Sequence, residues 1–409
     1  MVSFLTDIST EMVYPLLPFY LTLKLGAGPA ILGLIEGLAE SVASLLKVVS
    51  GRISDRLGRR KNLAVAGYGA STAGKVVLYL TGSWGGVLAG RVADRFGKGI
   101  RTAPRDAMVA ESAPNGRQGW SFGLHRAMDS LGATGGALLA YILLVTLAGR
   151  GVGSASASAY RAVFLYSLVP AVLGVAALLF VRETGRRAAP GALSAPSPAA
   201  PAAPSPRPSV PRTSLGAAFA RLDPRLKTLL VVTAIFTLGN SSNQFLLLRA
   251  GESIGEGGAL LVYVLFNAAY ALFSWPAGWA SDKLGRRGVL VTGFLLYAVV
   301  YGSLAFGLGG VPWGYAAIFV LYGVYSALTD GVAKALVADL APADLRATIM
   351  GLHATIVGIG LFPASFLAGL LWSAFGPAAA FGLGAAAGLV AAVGLGLFPR
   401  GARSVRAAG

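Results

Sequence analysis

Apolar stretches long enough to cross a bilayer recur along almost the entire chain, and that recurrence restricts it to an all-α, polytopic membrane fold. Spans are expected near residues 2–23, 30–50, 63–82, 85–112, 119–147 and 160–181, and again near 226–248, 257–280, 288–308, 313–340, 347–373 and 376–398. The residue balance agrees. Of 409 residues, 55% are hydrophobic and 12% charged, where a soluble chain carries roughly twice that charged share. The apolar N-terminus lacks a basic leader region, carries Asp7 and Glu11 and runs into Pro15 and Pro18. It therefore reads as a first span rather than a cleavable signal.

A net charge of +17 would suggest a nucleic-acid partner for a soluble protein. Here the basic residues gather in particular loops. Arg52, Arg56, Arg59, Arg60 and Lys61 follow the second span, and Lys283, Arg286 and Arg287 follow the eighth. Arg182, Arg186, Arg187, Arg207, Arg212, Arg221, Arg225 and Lys227 lie between the sixth and seventh, and Arg400, Arg403 and Arg406 end the chain. The alternate loops hold only Lys24, Arg150, Arg161 and Arg249. This is the positive-inside distribution: it puts both termini in the cytoplasm and accounts for the charge without nucleic acid. The chain has no cysteine, which excludes disulfides and thiolate metal sites. No metal and no cofactor is expected.

The two sets of six spans repeat each other. GRISDRLGRR from Gly51 matches GWASDKLGRR from Gly278, 227 residues on. AMVAESAP from Ala107 matches ALVADLAP from Ala335, and FGLHRA from Phe122 matches MGLHAT from Met350, both 228 residues on. Repeats on this scale in a membrane chain are the mark of a transporter built from two bundles. The expected organisation is a bundle over 1–181, a cytoplasmic linker over 182–225, a second bundle over 226–399 and a tail over 400–409. The linker core, almost all Ala, Pro and Ser, cannot bury a core of its own.

Gly51 to Lys61, GRISDRLGRRK, is the strongest local signal. Gly51 and Gly58 permit a tight turn and close helix approach. Asp55 among Arg56, Arg59 and Arg60 can form an ion pair or cap a helix N-terminus, a role that topology alone does not require. The segment resembles the loop 2–3 signature of the major facilitator superfamily, and the resemblance covers both halves. It implies twelve helices in two pseudo-symmetric six-helix bundles, alternating access, and a solute site between the bundles near the membrane midplane. It further implies a bacterial inner-membrane carrier, expected as a monomer, whose partners are lipid, a small solute and protons. In the family this loop latches the cytoplasmic side; Asp282, Gly285 and Arg286 form the second copy.

Gly123, Gly132 and Gly136 resemble the glycine motif on helix 5 of proton-driven exporters of the superfamily, with Ala137 in place of its proline. Small residues at this spacing also let two helices approach closely. The run RVADRFGKGIRTAPRDA from Arg91 resembles a bacterial subgroup of efflux-type permeases. In it Arg91, Asp94, Arg95, Lys98, Arg101 and Arg105 fall on one helix face, too deep for loop charges. Ionisable groups at that depth are costly unless paired or wet, so they mark a pathway; interhelical ion pairs are the structural alternative.

Opposite charges come from Asp7 and Glu11 on helix 1, Glu36 and Glu40 on helix 2, and Asp129 beside His125 and Arg126 on helix 5. A proton carrier needs a carboxylate or histidine whose affinity follows hydration and its neighbours. Helices 1 and 4 line the cavity in the family, so the expected pairing sets Asp7 and Glu11 against Arg91 and Arg95. The C-terminal half is poorer in charge. Its candidates for a polar-aromatic solute wall are Asn240, Asn243, Gln244, Tyr263, Asn267, Tyr270, Tyr322, Asp330 and Lys334. Gly69-x4-Gly74-Lys75 imitates a phosphate loop but ends in Val76 inside an apolar span, so it carries no nucleotide site.

Three functions compete. The first is a proton-coupled exporter, by antiport, of small amphipathic organics. The second is an importer, or a carrier of a polar anion or metal chelate. The third is a non-transporting receptor or an enzyme, which leaves the repeated latch without a purpose. No residue is assigned a catalytic role.

Overall fold

The computed structural model describes residues 1–57, 60–112, 118–149, 155–181, 223–308, 311–342 and 346–397, and every regular element among them is a helix. In the first half these are α1 from Val2–Val13, α2 (Pro29–Leu57), α3 (Arg60–Leu80), α4 (Trp84–Ser112), α5 (Gln118–Ala148) and α6 (Ala157–Tyr166 with Leu168–Phe180). The second half has α7 (Pro224–Gly239), α8 (Asn243–Leu284), α9 (Arg286–Ala305), α10 (Pro312–Leu340), α11 (Arg346–Phe375) and α12 (Pro377–Gly396). Most of the linker and all of the tail fall outside the described residues.

Among the described residues, nine stretches are apolar and long enough to cross a membrane as they stand. The remaining crossings are hidden for physical reasons. Pro15 and Pro18 cannot donate to the helical ladder. The chain therefore continues beyond Val13 through a 3-10 turn (Tyr14–Leu16), one turn of helix (Leu17–Phe19) and a π turn (Tyr20–Lys24). Residues 12–21 are all buried, so the irregular turns are shielded from lipid as far as Leu21. α4 is too charged to register as apolar. The stretch 224–284 contains two crossings, because α7 stops at Gly239, Ser242 caps the start of α8, and Gly255 (φ 75°, ψ 164°) reverses the direction of α8. Only glycine takes that conformation without strain. Gly26, 229 residues earlier, also has a positive φ of 64°, so the repeat extends to the backbone of equivalent turns.

Each half packs within itself: α4 lies against α2 and α3, α1 against α5, α8 against α10, and α9 against α12. The halves meet mainly through α2 with α11 and α5 with α8. The architecture is two six-helix bundles, as the repeats predict.

Candidate solute pathway between the halves

The halves are sealed on one face and parted on the other. On the sealed face, away from the basic loops, backbones touch almost directly. A Cβ on Gly33 of α2 would stand 2.2 Å from the Ser365 carbonyl oxygen of α11, and one on Gly37 would be 2.9 Å from that of Phe362. Ala30 N–H donates to Ser373 Oγ at 3.2 Å, and Ser41 Oγ donates to the Gly358 carbonyl at 2.9 Å. Tyr14 of α1 meets the break between α7 and α8: its hydroxyl lies 3.3 Å from Ser242 Oγ, and its carbonyl accepts from Gln244 Nε2 at 3.0 Å. Tyr160 of α6 donates to the buried carboxylate of Glu256, just after the Gly255 reversal.

Toward the basic loops, a cavity of about 600 Å³ separates the halves. It begins where the seal ends, at Ser44 on α2 and Asn240 on α7. The first half contributes Ser44, Lys47 and Thr102; the second contributes residues of α7, α9, α10 and α11, among them Asn240, Asp330, Lys334 and His353.

The charged stripe of α4 faces α2. Arg91 holds Glu36 in a two-pronged contact, Nε to Oε1 and Nη2 to Oε2, both 2.8 Å. Its Nη1 lies 3.5 Å from Asp94. Arg95 pairs with Glu40 at 3.2 Å and approaches Asp94 at 3.9 Å. Both guanidinium groups lie against the Tyr14 ring, 5.3 and 5.8 Å from its centre. Further along, Arg101 donates to Ser71 Oγ at 2.6 Å and covers the Tyr68 ring. Arg105 pairs with Asp106 at 2.8 Å. Lys98 is half-buried, near Arg95, Glu40, Lys47 and Asp7. The expected pairing with helix 1 is therefore corrected: the carboxylates that meet Arg91 and Arg95 come from α2 and from α4 itself.

The carboxylates of α1 have other neighbours. Glu11 accepts a hydrogen bond at 2.9 Å from Tyr263 of α8, a contact across the halves. Asp7 and Glu11 pack by their Cβ atoms near Gly132 and Gly136 of α5. Those glycines face the backbone of α1: added Cβ atoms would lie 2.6 Å from the Phe4 oxygen and 2.5 Å from that of Ile8. On α5, His125 Nδ1 is 3.3 Å from Asp129, and its Nε2 is 2.9 Å from Ser3 Oγ. Lys75 is buried and donates to Ser9 (2.7 Å) and Thr10 (3.2 Å), so it joins α3 to α1.

The wall residues of the second half divide. Asn240, Asp330 and Lys334 line the cavity. Tyr322 donates to Asn243 Oδ1 at 2.7 Å, Asn267 donates to the Tyr263 carbonyl at 3.1 Å, and Tyr270 donates to Asp330 at 3.1 Å. Tyr263 and Tyr322 belong to a run of stacked and tilted rings that links Tyr14 to Phe266, Tyr325 and Tyr301. Gln244 is sealed against α1 and not open to the cavity.

Of the loop signature, Gly51, Asp55 and Arg56 continue α2, and Arg60 opens α3. The side chains of Asp55 and Arg56 lie outside the described residues, as do Gly58 and Arg59. Gly123 and Arg126 belong to α5 by their backbone, and the Arg126 side chain is likewise outside. In the second copy, Arg286 lies 3.7 Å from Asp282 and 2.7 Å from Asp339 of α10, next to the chain reversal at Gly285. Asp339 was not among the sequence candidates. The repeat AMVAESAP/ALVADLAP points to it, since it aligns Asp339 with Glu111. Gly255-Glu256-Gly257 reads as loop in the sequence, which conceals Glu256. Nothing in the sequence brings Lys47 and His353 to one cavity, where the structure places both.

Known proteins give the same architecture. The family model of the Major Facilitator Superfamily matches twice, over residues 1–248 and 229–408. An uncharacterized MFS-type transporter of Methanocaldococcus jannaschii is 37% identical over 377 residues, covering 90% of this chain and 86% of that one. Among solved structures, a nucleoside transporter superposes with a TM-score of 0.76 at 13% identity, covering 98% of both chains. A D-xylose–proton symporter gives 0.70 at 17% identity, covering 98% of this chain and 96% of its own.

Proposed function

The chain belongs to the Major Facilitator Superfamily, a family of transporters and not enzymes, and from that premise we propose that it is a proton-coupled secondary transporter that exports small amphipathic organic solutes. The observation that carries this reading is the cavity, wide toward the basic loops and closed by contacts between the halves at its far end. With the basic loops cytoplasmic by the positive-inside rule, this is an inward-facing state of an alternating-access cycle in a plasma membrane.

Glu11 supplies a coupling logic. Its carboxylate is held by the Tyr263 hydroxyl from the other half, and a hydrogen bond to a charged acceptor is worth about 1.5–3 kcal/mol. That bond must break when the outer face opens, so the proton affinity of the carboxylate differs between the two states. When the halves part on that face, α1 leaves α8 and Glu11 meets external water, where it takes up a proton. Return to the inward-facing state with that proton, and its release inside, completes an antiport cycle. Solute binding would drive the outward step.

Reconstituted protein tests this. An imposed gradient, acid on the external side, should accelerate efflux of an accumulated solute, and Glu11→Gln should abolish that acceleration while solute counterflow persists. Flux of the unaltered protein that ignores the gradient would remove the coupling; a Glu11→Gln variant that still follows it would move the coupling elsewhere. Loss of counterflow in the unaltered protein would remove transport itself.

A further inference from the structure

Arg91, Arg95 and Arg105 each have a carboxylate within 4 Å. Lys47 and Lys334 line the cavity from opposite halves, and neither ammonium group forms an ion pair or a hydrogen bond with a described residue. Both side chains are exposed to the cavity. Lys334 is close enough for its charge to act on Lys47, as do Arg95 and Arg105, while Glu40 acts on it with the opposite sign. Lys334 likewise acts on His353, a third cavity residue.

The negative charges at hand are already engaged. Glu40, the nearest carboxylate to Lys47 on its own helix, is held by Arg95 at 3.2 Å. Asp330, the one carboxylate on the described cavity wall, accepts from Tyr270 at 3.1 Å. Lys47 lies ten residues before Leu57, the end of α2, which is roughly 15 Å inside the helix end. The rest of the wall is suited to an organic body: Phe236 and Phe294, with ring centres 4.6 Å apart, and Tyr325. A volume of about 600 Å³ lies in the usual range for a drug-sized ligand, about 300–1,000 Å³.

We propose that the transported solute is an organic anion with an aromatic or similarly apolar body, whose acidic group is bridged by Lys47 of α2 and Lys334 of α10. The assignment rests on the transporter reading above and narrows it to a substrate class. It also gives the solute a mechanical role. Lys47 belongs to one half and Lys334 to the other, so in the empty protein their repulsion holds the cytoplasmic side apart. An anion between them reverses the sign of that force and draws α2 toward α10, which is the motion that closes the inward-facing cavity.

The test uses the purified full chain and three ligand sets on one naphthalene body. These are anionic (1-naphthoate, 1-naphthyl phosphate, naphthalene-1-sulfonate), neutral (1-naphthamide) and cationic (1-naphthylmethylamine). Thermal melting should rise saturably with at least one anion at millimolar concentration and remain flat with the amide and the amine. Lys47→Gln and Lys334→Gln should each weaken that anion at least about tenfold, the loss of one charge-assisted contact. Without ligand, each variant should melt no lower than the unaltered protein, because a repulsion has been removed; this shows that the fold is intact. Lys47→Arg, which keeps the charge, should retain binding. Equal or tighter binding of the amine or the amide, failure of all three anions, or anion affinity indifferent to both glutamine variants would each overturn the assignment. Gradient-driven flux in proteoliposomes separates the two readings. Flux of the amine without anion binding would leave the transporter and remove the anion; anion binding lost in the lysine variants, with no flux, would do the reverse.

Discussion

Glu36 is the residue whose removal the structure values most clearly. It is 1% exposed and Arg91 is 2% exposed, and two N–H···O contacts of 2.8 Å join them. Removing one partner of a buried pair leaves an uncompensated charge and costs about 3–5 kcal/mol. Asp94 cannot take over. It is 3.5 Å from Arg91, is shared with Arg95, and leaves Oδ1 buried without a hydrogen bond. Glu36→Ala should therefore fall near ~5 kcal/mol, and Glu36→Gln, which keeps one acceptor oxygen for Arg91, nearer ~3 kcal/mol. The double variant Glu36→Met with Arg91→Met removes both charges and should recover most of that loss, since buried pairs replaced by apolar groups of similar volume are often neutral. Reversible unfolding by SDS titration in mixed micelles, with the single variants Glu36→Met and Arg91→Met added, gives the four corners of the cycle. A Glu36→Ala variant within about 1 kcal/mol of the unaltered protein would refute the reasoning. So would a double variant no more stable than Glu36→Ala alone.

Three further outcomes follow from the seal and the loop. Tyr160→Phe removes the hydroxyl that Glu256 accepts, and should shift the population toward the outward-open state by roughly tenfold. The chain has no cysteine, so labelling of Ser242→Cys from outside reads that shift directly, and unchanged labelling would deny Tyr160 a gating role. Gly33→Ala drives a methyl group to 2.2 Å from the Ser365 carbonyl and should prise α2 from α11; disulfide formation between Ala30→Cys and Ser373→Cys should then slow, and an unchanged rate would show that the helices yield elsewhere. Asp339→Asn breaks a pair that is half open to water, Arg286 being 25% and Asp339 54% exposed. It should lower stability by less than about 1 kcal/mol in the same SDS titration, and a loss like that of Glu36 would contradict it.

The helices were legible because the bilayer forces length and hydrophobicity on each crossing, and the repeats gave the two bundles. What hydropathy could not give was the fine structure of α1, where Pro15 and Pro18 force two changes of helix type, or the break at Asn240 to Ser242. Residue spacing put Arg91, Asp94 and Arg95 on one face of α4, and the structure brings them together. Spacing fixes a face and not the neighbour that it meets. Glu36 and Glu40, rather than Asp7 and Glu11, are the partners because α4 packs against α2. Lys47 and Lys334 are separated by most of the chain, and no local pattern could bring them to one cavity.

The ion pairs described here each lie inside one half: Arg91 and Arg95 with Glu36, Glu40 and Asp94 in the first, Arg286 with Asp282 and Asp339 in the second. Rocking one half against the other leaves them whole. The two end states therefore share nearly the same ionic energy within each half, and their difference falls to the Lys47–Lys334 repulsion across the cavity, to a few hydrogen bonds, such as those of Tyr14, Ser41 and Glu11, and to backbone packing. A ligand shifts such a pair only by the difference in its affinity for the two states, and a preference of about 5.5 kcal/mol carries the population from one extreme to the other.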